Sequence, residues 1–177
     1  MNPFIPATPP SDATLRVWWT EASNASVVEC FGALHEYSQH VVDEQRPVCL
    51  ASGKCCNFHA HGHILVVTAL EALWVWRHAH SSLRRSHAQT AQAAGTCAFL
   101  KGSLCSIHAS RPTGCRSYFC DRGDGIWQST LSERMHESIT QLHAERNIPY
   151  LYAEWTWLVA QIAQADERGV FSEAVTS

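Results

Sequence analysis

Seven of the chain's eight cysteines lie in two short stretches, Cys49, Cys55 and Cys56 in the first and Cys97, Cys105, Cys115 and Cys120 in the second. No other feature restricts the fold so strongly. Either seven thiols are buried as small apolar groups, or two segments distant in sequence converge so that their sulfurs meet. The flanking residues argue for convergence. Gly53 and Gly62 punctuate the first stretch, and Gly102, Pro112, Gly114, Gly123 and Gly125 the second. Backbone of that kind reads as loop rather than core.

Compartment decides how the thiols are used. The opening residues, MNPFIPATPPSD, contain four prolines and lack the basic start and apolar run of a secretory leader. Nowhere do 18 apolar residues run together, so a soluble, cytoplasmic chain with no membrane association is expected. A reducing cytoplasm keeps thiols free unless a metal or catalysis claims them. Bound zinc or an iron-sulfur cluster is therefore the expected use of the seven clustered cysteines. Cys30, on the apolar face of a predicted helix, reads as core.

The spacings are C-x5-C-C and then C-x7-C-x9-C-x4-C. None is C-x2-C, which excludes ordinary zinc-ribbon and zinc-finger knuckles. On extended backbone Cys55 and Cys56 would point to opposite sides, so both reach one ion only if the chain bends, as Gly53 permits. Otherwise the pair suits a polynuclear cluster, two metals, or one ligand beside one packing or reacting thiol. Thiolates accumulate negative charge, and Arg111, Arg116 and Lys54 are the cations expected to bond to sulfur. In HAHGH, His59, His61 and His63 would share one face of an extended strand next to the thiolates. They are candidate additional ligands, with surface or packing roles as the simpler reading.

At 177 residues one domain is expected. It spans 13–168 with a motif core at 47–121, between a flexible lead at 1–12 and a flexible tail at 169–177. The periodicity predicts a helix starting at Ser11 or Asp12, weak between Asn24 and Gly32, and stopped by Pro47. The run HILVVT reads as a strand. Thr68 and Glu71 have capping-box spacing for a helix from 69 to the low 80s. A further helix runs from Trp127 towards Asn147, and a last one is opened by Pro149 and ended by Gly169. The fold class is mainly α: a small helical domain with a cysteine-rich loop layer and a minimal β-strand pair.

In each of the pairs Trp18-Trp19, Trp74/Trp76 and Trp155/Trp157, one ring is expected in the core and one at the boundary, where a protein partner could dock. The net charge of −3, with Arg84-Arg85 as the one dense basic spot, leaves nucleic acid without an electrostatic footprint. No Ser-His-Asp order, phosphate loop or paired carboxylate motif stands out, so no catalytic residue is assigned. Glu71 is read as a helix cap, and Asp121 and Asp124 as turn residues.

Gly53-Lys54-Cys55-Cys56, Thr68 to Glu71, Cys97-Ala98-Phe99-Leu100, Cys105-Ser106-Ile107 and Arg111 to Arg116 together resemble the YkgJ-like cysteine-cluster family of bacterial zinc- or iron-chelating proteins. The resemblance covers about residues 47–121. It implies metal ligands at Cys49, Cys55, Cys56, Cys97, Cys105 and Cys115, with Cys120 as a substitute. One departure stands out: the leading cysteine precedes the pair by five residues, where the family often has further cysteines in a C-x-x-C-like arrangement. A flagellin lysine methyltransferase associated with an iron-sulfur cluster has a similar motif. That likeness implies a cluster, of the four-iron type, as an alternative to zinc. Its methyl-transfer activity does not follow, because no glycine-rich cofactor loop follows a strand here. The expectation is a metal-binding protein, the alternatives being a cluster-dependent modifying enzyme and a structural-zinc interaction module.

Overall fold

The computed structural model describes residues 2–79, 85–120 and 125–172. Arg84, Asp121, Asp124 and the tail from 173 lie outside the described residues. Helix α1 (Asp12–Glu21) starts where Ser11 accepts the Thr14 N–H, and α2 (Ala25–Gln45) where Asn24 accepts that of Ser26. The break expected near Asn24 is therefore an N-cap. A turn of 3-10 helix at Lys54–Cys56 and the short α3 (Phe58–His61) follow, then strand β1 (Val66–Thr68) leading directly into α4 (Ala69–Ala79). Next come α5 (Arg85–Ala94), strands β2 (Leu100–Lys101) and β3 (Leu104–Cys105), α6 (Thr113–Ser117), α7 (Ile126–Glu145), strand β4 (Tyr152–Glu154) and α8 (Trp155–Glu167).

The fold is mainly α, and α4 and α8 are its centre. A helix apolar all round is one surrounded by protein. In α4, Leu70, Leu73, Val75 and Trp76 are essentially inaccessible, as are Trp155, Leu158 and Ile162 in α8. Helices α1 and α8 pack on α4, and α5 packs on α8. This corrects the reading of the tryptophan pairs: Trp74 and Trp76, and likewise Trp155 and Trp157, are all buried. Helices with no solvent face leave neither ring at a boundary. Of these six, only Trp19 is partly exposed, stacked on Phe171 at 4.7 Å with the Arg77 guanidinium 3.9 Å above it.

Two small antiparallel pairs replace the single pair expected. Strand β1 pairs with β4, Val67 opposite Ala153, and β2 pairs with β3 around Gly102, whose φ is 63°. The first pair also corrects the start of the last helix. Pro149 does not open it, because the chain continues extended into β4 and turns helical only at Trp155. There the Ala69 N–H donates to Leu151 O and the Trp155 N–H to Leu65 O, so the two strand-to-helix junctions satisfy each other's backbone. The N-terminal lead, expected to be flexible, docks on the same strand: the Glu154 N–H donates to Phe4 O at 2.9 Å, and Asn2 donates to the Glu154 carboxylate. Among the described residues no helix is long and apolar enough to cross a membrane.

Candidate metal centre

The first cysteine group is placed by a reversal at Gly53. Its φ of 70° is one that side-chain-bearing residues avoid, and the backbone of Ser103 lies 3.2 Å from where a Cβ would sit. The 3-10 turn that follows, closed by the Cys56 N–H on Gly53 O, swings Cys55 and Cys56 to the same side. Their sulfurs are 4.0 Å apart. The bend that the sequence left conditional is thus present. The separation is close to the ~3.8 Å edge of a tetrahedron built on metal–sulfur bonds of ~2.3 Å.

The second group reaches the first through backbone: the Cys97 N–H donates to Cys56 O at 2.8 Å, which brings the two thiols near enough to shift each other's titration. Cys97 is buried and also accepts the Trp155 indole N–H at 3.4 Å. Cys105 sits on β3. Cys115 lies on α6, so the second group is less irregular than predicted: helix forms once Pro112 supplies the N-cap position and Thr113 finds an acceptor.

That acceptor is Glu71. Its carboxylate takes the Thr113 N–H at 2.6 Å, while its own N–H donates to Thr68 Oγ1 at 3.2 Å. The Glu71 N–H makes one half of the predicted capping box, and the carboxylate is also within reach of the Thr68 backbone N–H that forms the other half. Beyond that role it crosses to anchor the helix that carries Cys115.

A cavity of about 590 Å³ opens between these elements, lined by Cys49, Cys55, Cys56, Cys105, Cys115 and Cys120. Cys97 does not line it and is joined to the group through its backbone bond to Cys56. Cys30 lies elsewhere, on α2 against the core, where burial raises its thiol. Interaction with Cys56 lowers Cys55 to about 6 and lowers Cys97, while Cys56 is raised. The three thiols titrate as a group. Burial raises Cys105 and Cys115.

The expected cations divide. Arg111 lines the cavity, and its charge favours the thiolates of Cys55, Cys105 and Cys115. Its Nε is buried without a hydrogen-bond partner among the described residues. Arg116 faces the other way: Nε donates to Arg111 O, and Nη2 donates to Ala109 O and lies 3.0 Å from His35 Nδ1. It fixes the backbone of the cysteine segment. Lys54 is exposed and outside the cavity.

The histidines are not on a strand, because residues 58–61 form α3 and the shared-face argument fails. His59 and His61 are exposed, the His59 ring lying against Gly95. His63 alone lines the cavity, stacked on Tyr118 at 5.1 Å with Nε2 3.3 Å from Cys55 O. Its buried Nδ1 has no partner among the described residues.

The donors present suit a thiophilic metal: soft thiolates from two segments, a neutralising guanidinium and an unused imidazole nitrogen. Among the described residues no three His, Cys, Asp or Glu side chains are already disposed around one point as a coordination sphere. Closure therefore requires the sulfurs to be drawn inward, and binding energy is spent on local folding. Sequence reasoning missed two contributors. Trp155 carries no sequence signal for its bond to sulfur. Glu71 does carry one: it is the single carboxylate between Glu44 and Asp121, in a stretch with eight Lys and Arg.

A family model described as "Putative zinc- or iron-chelating domain" matches residues 48–141. No curated protein and no solved structure matches the chain.

Proposed function

The chain belongs to the CxxCxxCC family of zinc- or iron-chelating domains, and from that premise we propose that its clustered thiolates hold zinc or iron in the cytoplasm. The carrying observation is that six cysteines from two distant segments line one cavity and the seventh, Cys97, is tied to Cys56 by its backbone N–H. Cys55, Cys56 and Cys97 form the inner group of ligands, with Cys49, Cys105 and Cys115 around them and Cys120 at the exposed edge. A single tetrahedral zinc and a four-iron cluster each use four thiolates, and the sulfurs here suffice for either. The finer reading is an iron-sulfur cluster, whose chemistry would be electron transfer or sensing.

This chain's own residues do four things at such a centre. The Gly53 turn aims two sulfurs the same way. Trp155 donates to Cys97 and orients it. Arg111 offsets the thiolate charge, and Glu71 holds α6 and Cys115 against the first group. Elemental analysis, visible absorption and acid-labile sulfide on anaerobically purified protein test the reading. Labile sulfide with iron supports the cluster, and colourless protein with stoichiometric zinc supports a mononuclear site. Absence of both metals rejects the proposal.

A further inference from the structure

Laid along residues 49–56, the family pattern expects cysteine at 49, 52, 55 and 56. This chain has Cys49, Cys55 and Cys56 but Ser52. Ser52 lines the cavity among the sulfurs, and its hydroxyl makes only a long, 3.5 Å contact with the Lys54 N–H. A neutral hydroxyl is a poor replacement for a thiolate on zinc or iron. The donor set of the first segment is therefore one thiolate short, at a position that faces the cavity.

What faces that position is more than an ion needs. A water molecule's share of volume is about 30 Å³, whereas about 590 Å³ is open here, within the ~300–1,000 Å³ range of small-molecule sites. Away from the sulfurs the walls are mostly apolar, with Leu65, Val66, Phe119 and Tyr152 interrupted by Gln128 and several serines. At the mouth, Leu50 and Leu104 are 69% and 62% exposed, an apolar collar that an apolar-bodied ligand would cover. A single cation, Arg111, lines this space, with its Nε buried and lacking an acceptor. The thiolates already draw on that one charge, so the space suits a monoanion better than a phosphate dianion.

Resting on the metal-binding reading above, we infer that the metal centre keeps a ligand position open at Ser52 and accepts there an organic carboxylate with an apolar body. Arg111 would hold one carboxylate oxygen, and the other would be available to complete the metal's ligands. A metal with an incomplete set of protein ligands is the arrangement of catalytic rather than closed structural sites.

Isothermal titration calorimetry of the metal-loaded protein with 2-naphthoate tests this, with elemental analysis on the same sample. Saturable binding is expected, weaker by at least about tenfold for the neutral analogue 2-naphthylmethanol, which cannot make the charge-assisted bond. Ser52→Cys supplies the missing thiolate and is expected to abolish naphthoate binding at unchanged or higher metal content. Ser52→Ala is expected to bind naphthoate like the parent. The inference is overturned if metal-loaded protein does not bind naphthoate, if Ser52→Cys binds it as well as the parent, or if Ser52→Ala loses it. Protein that carries no metal defeats the underlying reading instead, and the elemental analysis records that failure separately.

Discussion

The Glu71 carboxylate and the Thr113 N–H, forty-two positions apart, are joined by a 2.6 Å hydrogen bond inside the core. The bond links the first turn of α4 to the first residue of α6, and so ties the scaffold helix to the segment carrying Cys115 and Arg116. A buried carboxylate is costly to keep ionised, and burial raises Glu71 above the ordinary carboxylate range.

From this follows a pH dependence with a definite sign. An acid whose folded pKa lies above its unfolded value, about 4.3, holds its proton more tightly when folded. Its contribution to stability therefore declines as pH rises from that value through the folded one. Glu71→Gln keeps a carbonyl acceptor for Thr113 without the charge. It is expected to be at least as stable as the parent at neutral pH and to flatten the decline, measured by urea denaturation at mildly acidic and neutral pH.

Gly53→Ala tests the turn that aligns the adjacent sulfurs. An L-residue held at φ near +70° costs about 1–2 kcal/mol, and the new methyl meets Ser103 backbone at 3.2 Å. The variant is expected to lose at least that much stability and to retain metal less well against a chelator. Parent-like denaturation and retention would show that the turn is not needed.

Trp155→Phe removes the N–H aimed at Cys97 Sγ while leaving an aromatic ring in the core. Hydrogen bonds to ligand atoms typically change metal affinity by about 10–100-fold, and the lost bond costs about 1–3 kcal/mol when its acceptor is charged. Competition with a chromophoric chelator measures the first, and denaturation of the loaded protein the second.

His35 lies edge-on to Trp74, against Arg116 and near His78 and Arg111. Burial first, then the charges of Arg116, His78 and Arg111, lower it to about 4. The folded protein therefore keeps this ring neutral where an unfolded chain, with a pKa of about 6.5, charges it. Stability is unaffected by this group above that value and falls as pH drops through it towards the folded midpoint. An NMR titration of the His35 ring is expected to have its midpoint near about 4, and a midpoint in the ordinary histidine range would refute the packing described.

Local pattern made the helices legible. Thr68 marks the start of α4 and Asn24 the break between α1 and α2. Clustering and loop punctuation likewise pointed to the seven cysteines, and set Cys30 apart. What could not be read was pairing between distant segments. Strand β4 exists because β1 offers it partners, so Pro149 alone could not place the start of α8. The role of Glu71 depends on α6 arriving beside it, and the Trp155–Cys97 bond on α8 packing behind the second segment. The histidine triplet failed for the opposite reason: a single turn of helix over Phe58–His61 scattered side chains that period two would have aligned.

The convergence of two cysteine segments on one bound metal is tested most directly by metal stoichiometry in anaerobically purified parent, Cys56→Ala and Cys30→Ala proteins. Stoichiometric zinc or iron is predicted in the parent and in Cys30→Ala, with loss of metal and a lowered melting temperature in Cys56→Ala. Full metal content and an unchanged melting curve in Cys56→Ala, or a parent protein that binds neither metal, would contradict the account.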